Sequence, residues 1–97
     1  MSELKQYKMF IDGEWVDSDT KKTFETLNPE NNKPWAEVPE ASATDVDRAV
    51  KAAQKAFEGE WPKLLPRERG RYLRAIADKL RENAELLGEI ETKDTGK

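Results

Sequence analysis

The chain has no cysteine and no histidine. Without cysteine there is no thiol nucleophile, disulfide framework, CxxC redox pair or thiolate zinc site. Without histidine the commonest general base and the commonest transition-metal ligand are also missing. No apolar run approaches the roughly 20 residues of a membrane span. Met1 to Lys8 carry no apolar signal core, so the expected setting is the cytoplasm. Glycine is scarce, at 5 of 97 residues, and too scattered for a GxGxxG or GxxxxGK[ST] phosphate loop. The balance of 17 basic against 20 acidic residues leaves a net charge of -3, against a dedicated nucleic-acid binder with its basic face.

Apolar residues make up 36% of the chain and charged residues 38%. A chain this short is thinly stabilised alone, and the apolar deficit thins it further. The mixed charge signs, three Trp and three Phe still argue for a folded chain.

Met1 to Gln6 reads as a loose terminus. Asp12-Gly13, between Tyr7–Ile11 and Glu14–Val16, predicts a hairpin, because a type I′ turn needs positive φ at both central positions. A second extended run, Thr23–Leu27, stops at Asn28-Pro29. A turn through Asn31 to Lys33 leads to a third, Pro34–Pro39. From Ser42 the period changes. Thr44-Asp45-Val46-Asp47 resembles a capping box, and Val46, Ala49, Val50, Ala53, Ala56 and Phe57 form one helical stripe ended by Gly59 and Pro62. Pro66 suits the first turn of a second helix, whose stripe is Tyr72, Leu73, Ile76, Ala77, Leu80, Ala84, Leu87 and Ile90. Asn83 is a candidate interruption, and Thr95-Gly96 the expected stop. This stripe is longer than the first helix can cover, so part of it is expected to face other polypeptide. The chain is expected to continue past Lys97, where it meets an element boundary.

Few residues suggest chemistry of their own. Glu68, Asp78, Glu82 and Glu89 sit among basic residues at helical spacing, as on a solvated face. Arg67, Arg69, Arg71 and Arg74 form the densest basic cluster, and an alternative reading makes it a weak phosphate or nucleic-acid site. Glu60, Glu68 and Asp78 are expected to neutralise it. Trp15, Trp35 and Trp61 are read as buried anchors, with base-stacking platforms as the alternative. From residues alone the fold class is an α+β fragment: a short N-terminal hairpin and extended strands over 1–41, then two packed helices over 42–97. Another alternative is a stand-alone interaction module without catalysis.

A series of short blocks in order carries a family resemblance. They are Phe10-Ile11-Asp12-Gly13-Glu14-Trp15-Val16, Thr23-Phe24-Glu25-Thr26-Leu27-Asn28-Pro29, Val38-Pro39-Glu40-Ala41, Asp45–Val50, Ala52–Phe57, Trp61, Arg67-Glu68-Arg69 and Glu91–Lys97. From about Met9 to Lys97 the chain resembles the N-terminal fifth of an NAD(P)-dependent aldehyde dehydrogenase, most like the betaine-aldehyde branch.

The resemblance implies an intact enzyme that oxidises an aldehyde to a carboxylic acid with NAD or NADP, through a cysteine nucleophile, a glutamate base and an oxyanion hole. All of these belong to downstream sequence, so no catalytic or cofactor-binding residue transfers, and this chain alone is expected to be inactive. The resemblance further implies that 42–97 packs on a cofactor-binding domain outside this sequence. The partners implied are the remainder of the dehydrogenase chain and, when intact, further copies in a homo-oligomer; no nucleic acid or membrane is expected. It also places a Na+ or K+ site at the backbone oxygens of Thr26 and Leu27 and the carboxylate of Asp94, a hard oxygen set. The alternative for Asp94 is a helix-end residue bonding nearby backbone. The chain departs from the family at Leu64-Leu65, where a helix-capping Ser is common; water or another group is expected to replace it.

Overall fold

In a computed structural model, which describes residues 4–97, the chain forms five short strands, three helices and one 3-10 turn. Strands β2 (Met9–Ile11) and β3 (Glu14–Val16) make the expected hairpin, with Phe10 opposite Trp15. Asp12 and Gly13 adopt φ of 52° and 79°, the pair of left-handed positions that a type I′ turn requires.

A second sheet has the order β1 (Lys5–Gln6), β5 (Lys33–Pro39), β4 (Thr23–Asn28). β4 and β5 are antiparallel, with the register broken between Thr26 and Leu27. β1 lies parallel to β5, so Lys5 and Gln6 are ordered strand, not loose terminus. The Gln6 amide donates to the Glu37 carboxylate at 2.8 Å, and the Tyr7 N–H to the Glu37 carbonyl at 3.0 Å. Residues 1–3 of that expectation lie outside the described residues.

Helix α1 (Ala43–Glu58) begins two residues earlier than the capping signature suggested. Ser42, not Thr44, is the N-cap, and Asp45, not Asp47, closes the box. Asp45 wins because it also serves the loop before β4. It accepts the Ser42 N–H at 2.9 Å and hydroxyl at 3.1 Å, the Asp19 N–H through both oxygens at 3.0 and 3.1 Å, and Arg48 at 2.9 Å. These hydrogen bonds, that of the Ser42 N–H first, hold its carboxyl down from 3.8 to about 2, against the opposing effect of burial.

The expected second helix is two. α2 (Pro66–Glu82) and α3 (Ala84–Thr95) are separated at Asn83, whose φ of -112° and ψ of 17° leave the helical region. The Asn83 amide donates to the Lys79 carbonyl at 2.9 Å, closing the end of α2. α2 leans on α3, while α1 rests on β2 and the 3-10 turn Trp61–Lys63, so the picture of two mutually packed helices is replaced. The break turns α3 onto β4: Ile90 is half-buried there, while Tyr72, Leu73, Ile76 and Leu80 stay exposed. At the head of α2, Glu68 accepts the Leu65 N–H at 3.0 Å, and the Glu68 N–H turns back to the Leu65 carbonyl at 2.9 Å. A side chain and the local backbone thus supply what the missing Ser would have given.

The one buried hydrophobic residue among those described is Ala36, in the central strand. Trp15 is 69% and Trp61 44% exposed, so the expectation of buried tryptophan anchors fails; Trp35 alone is half-buried. The radius of gyration is 16.9 Å, against about 13 Å for a compact 100-residue domain. The apolar stripes are real, but the chain folds its elements into an open layer instead of closing them on one another. Among the described residues no helix is long and apolar enough to cross a membrane.

Candidate functional site

The sharpest constellation lies where α3 meets the sheet. The β4–β5 register breaks after Thr26, a half-buried residue, where Trp35 of β5 is left without a partner, and α3 carries Asp94 to Thr26. The Thr26 hydroxyl donates to the Asp94 carboxylate across 68 residues of sequence. Two residues on, Gly96 ends α3 at φ 78°, its N–H bonded to the Thr92 carbonyl at 2.9 Å. A Cβ there would stand 3.1 Å from Pro29 Cγ. The Asn-Pro step and the Asp-Thr-Gly block, far apart in sequence, form one structural unit.

Of the three residues expected to hold a cation, Thr26 and Asp94 therefore meet. Leu27 follows Thr26 past the register break with its side chain exposed. Asp94 engages Thr26 and not its own helix end; the neighbouring Thr95 hydroxyl takes that part, donating to the Glu91 carbonyl at 2.8 Å. A carboxylate, a hydroxyl and strand carbonyls are hard oxygen donors, the chemistry of a Na+ or K+ site. Among the described residues no group of three His, Cys, Asp or Glu converges as a multivalent site would require.

An aromatic wall stands beside this pair. Tyr7, Phe24, Trp35, Val38 and Ile90 line a groove together with Thr26 and Asp94. Tyr7 meets Trp35 edge-on at 6.1 Å between ring centroids, and Lys93 Nζ sits 5.8 Å from the Trp35 ring. The Trp35 indole N–H is buried and meets no acceptor. The sequence reading missed this wall. Period-two alternation would put Trp35 and Val38 on opposite faces of the strand; the irregularity at Trp35 breaks that rule, and nothing local placed Lys93 or Ile90 opposite.

The remaining candidates disperse. Arg69 donates to the Leu64 carbonyl at 3.1 Å, holding the 3-10 turn to α2. The carboxylates expected to neutralise the arginines are engaged elsewhere: Glu60 with Lys63 at 3.8 Å, Asp78 with Arg81 at 2.8 Å, and Glu68 with the helix cap. Glu82 pairs with Lys79 at 3.3 Å, an exposed contact of the solvated kind expected. The five glycines lie in the hairpin turn, within α2 and α3, and at helix ends. The turn from β5 into α1 is Glu40-Ala41-Ser42, and its helix N-terminus is already filled by the Asp45 carboxylate. These residues do not fit a dinucleotide phosphate site.

The aldehyde dehydrogenase family profile matches residues 15–97. The chain belongs to the aldehyde dehydrogenase family. It is 53% identical to an aldehyde dehydrogenase of Aspergillus niger over 92% of its own length and 18% of the relative's. It is 47% identical to human mitochondrial 10-formyltetrahydrofolate dehydrogenase over 93% of its length and 10% of that protein's. Among solved structures, Staphylococcus aureus betaine aldehyde dehydrogenase in complex with NAD+ superposes with a TM-score of 0.88 at 46% identity, covering 93% of this chain and 18% of that one. An NAD-dependent aldehyde dehydrogenase of Sinorhizobium meliloti gives 0.93 at 37% identity over 98% and 19%. The chain thus spans no more than about a fifth of these relatives, and it is an N-terminal segment of their fold. The expected α+β segment of that fold is what this aldehyde dehydrogenase chain adopts.

Proposed function

We propose that this chain is the scaffold segment of a cytoplasmic, homo-oligomeric enzyme that oxidises an aldehyde to a carboxylic acid with NAD(P)+. The observation that carries the reading is the close superposition on an NAD+-bound dehydrogenase over 93% of this chain and only 18% of that one. With no cysteine, the chain supplies no thiol nucleophile, and on this reading the thiol comes from the rest of the enzyme. Its part is to build a surface on which residues 42–97 meet the cofactor-binding domain, and to hold a monovalent cation. Thr26, Leu27 and Asp94 are the cation ligands, with remaining donors from the rest of the enzyme. Binding there draws the Asp-Thr-Gly block against the Asn-Pro step and so steadies α3 on β4.

The test is a chimera in which this chain replaces the matching segment of the S. aureus enzyme. A soluble protein with NAD+-dependent aldehyde oxidation is expected; an insoluble or inactive product would refute the role. Potassium should raise the chimera's thermal midpoint, and Asp94→Asn should remove that response without removing the fold.

A further inference from the structure

The groove beside Thr26 has a composition that an alkali cation does not use. Three aromatic side chains, Tyr7, Phe24 and Trp35, line it, and Asp94 is its one charged residue. Tyr7 and Trp35 stand at 76° with their centroids 6.1 Å apart, so the two rings form a corner and not a stack. Ring faces carry the negative part of the aromatic quadrupole and attract cations. Two ammonium groups already exploit these rings: Lys93 Nζ lies 5.8 Å from the Trp35 centroid and Lys5 Nζ 5.9 Å from that of Tyr7. Asp94 adds a full negative charge. It accepts the Thr26 hydroxyl, and no Lys or Arg among the described residues comes within 4.0 Å of its carboxylate. It also lies in the last turn of α3, whose carbonyl end favours positive charge. The space enclosed is about 400 Å³, within the range of small-molecule pockets.

We infer that this groove binds a free organic ammonium cation of the N-methylated class, its methyl groups against the aromatic corner and Asp94 as its counter-charge. An alkali ion takes oxygen donors and gains little from carbon faces. An N-methylated ammonium has no such need: it spreads its charge over methyl groups that pack on rings. Lys93 is the built-in competitor. Its ammonium occupies the Trp35 ring, and its side chain is exposed, so it can swing aside into water. The inference shares Asp94 with the proposed Na+ or K+ site but needs the rings as well, which lets one experiment read the two apart.

The test is an NMR titration of the 97-residue chain with tetramethylammonium chloride at constant ionic strength. It is read at the Trp35 indole N–H, whose cross-peak is assigned by its loss in Trp35→Leu. Saturable movement of that peak is expected. Lys93→Met, an exposed substitution, should tighten binding by roughly 2- to 5-fold, and Asp94→Asn should weaken it by about as much. tert-Butanol, of nearly the same shape but uncharged, should leave the peak in place. An equal response to tert-butanol, or an affinity unchanged in both variants, would overturn the inference. In the active chimera, tetramethylammonium should raise the thermal midpoint by an amount that Trp35→Leu and Asp94→Asn each remove, whereas the potassium response should survive Trp35→Leu. A potassium response with no Trp35-dependent tetramethylammonium response sinks this inference and leaves the alkali site standing. The reverse result supports the aromatic site and removes the alkali one.

Discussion

Asp45 makes the most demanding prediction, because one carboxylate joins two elements. It closes the α1 cap through Ser42 and anchors the loop before β4 through Asp19. Its side chain is 1% exposed, so water cannot replace the lost partners cheaply. Asp45→Asn keeps the shape but swaps an acceptor oxygen for a donor, so either the Asp19 or the Ser42 N–H then faces another N–H. Arg48 also loses its anion. The pH dependence has a definite sign. The folded carboxyl titrates at about 2 and the unfolded one at 3.8, so the folded state favours the charged form. Its stabilising contribution is essentially complete about one pH unit above 3.8, declines as the pH falls below that, and is lost as the pH passes down through about 2. Two-dimensional NMR of the Asp19 amide between pH 1.5 and 6 reads this directly. An inflection near pH 2 is expected in the wild type, and loss of slow amide exchange at Asp19 in Asp45→Asn. An inflection near 3.8, or an Asp19 amide as protected in the variant as before, would refute the clamp.

Four further outcomes follow from local geometry. Gly13→Ala meets no atom within 4 Å and strains only the backbone at φ 79°, so a loss of about 1 kcal/mol is expected in urea titration. Gly96→Ala adds the 3.1 Å approach to Pro29 to the same backbone strain, so its midpoint should fall further, and equal losses would disprove the contact. Thr26→Val removes the hydroxyl–carboxylate bond while keeping shape; about 1 kcal/mol is expected after solvent screening, together with a weaker thermal response to potassium. Asn83→Ala gains helix propensity of roughly 0.6 kcal/mol but favours one straight helix, so Ile90 should leave Trp35 and the indole emission should shift to the red.

The elements governed by neighbours along the chain were legible in the sequence. Asp12-Gly13 determined the hairpin, because only certain residues tolerate two successive left-handed positions. Gly96 determined where the last helix stops for the same reason, and Pro66 and Asn28-Pro29 marked boundaries through proline's missing donor. The ordered blocks determined the family, and with it the expectation that Thr26 and Asp94 belong together. Tertiary structure decided everything that depends on a distant partner. The pairing of Lys5 and Gln6 with β5 is a backbone bond to residues 31 positions away, invisible in a polar dipeptide. Ser42 and Asp45 displaced Thr44 and Asp47 because the loop at Asp19 needed an acceptor, which no helix-local rule contains. Asn83 became a true break only because α3 had to reach β4. The tryptophans stayed exposed because burial depends on having an opposing surface, and a sequence of side chains cannot say whether its own elements will provide one.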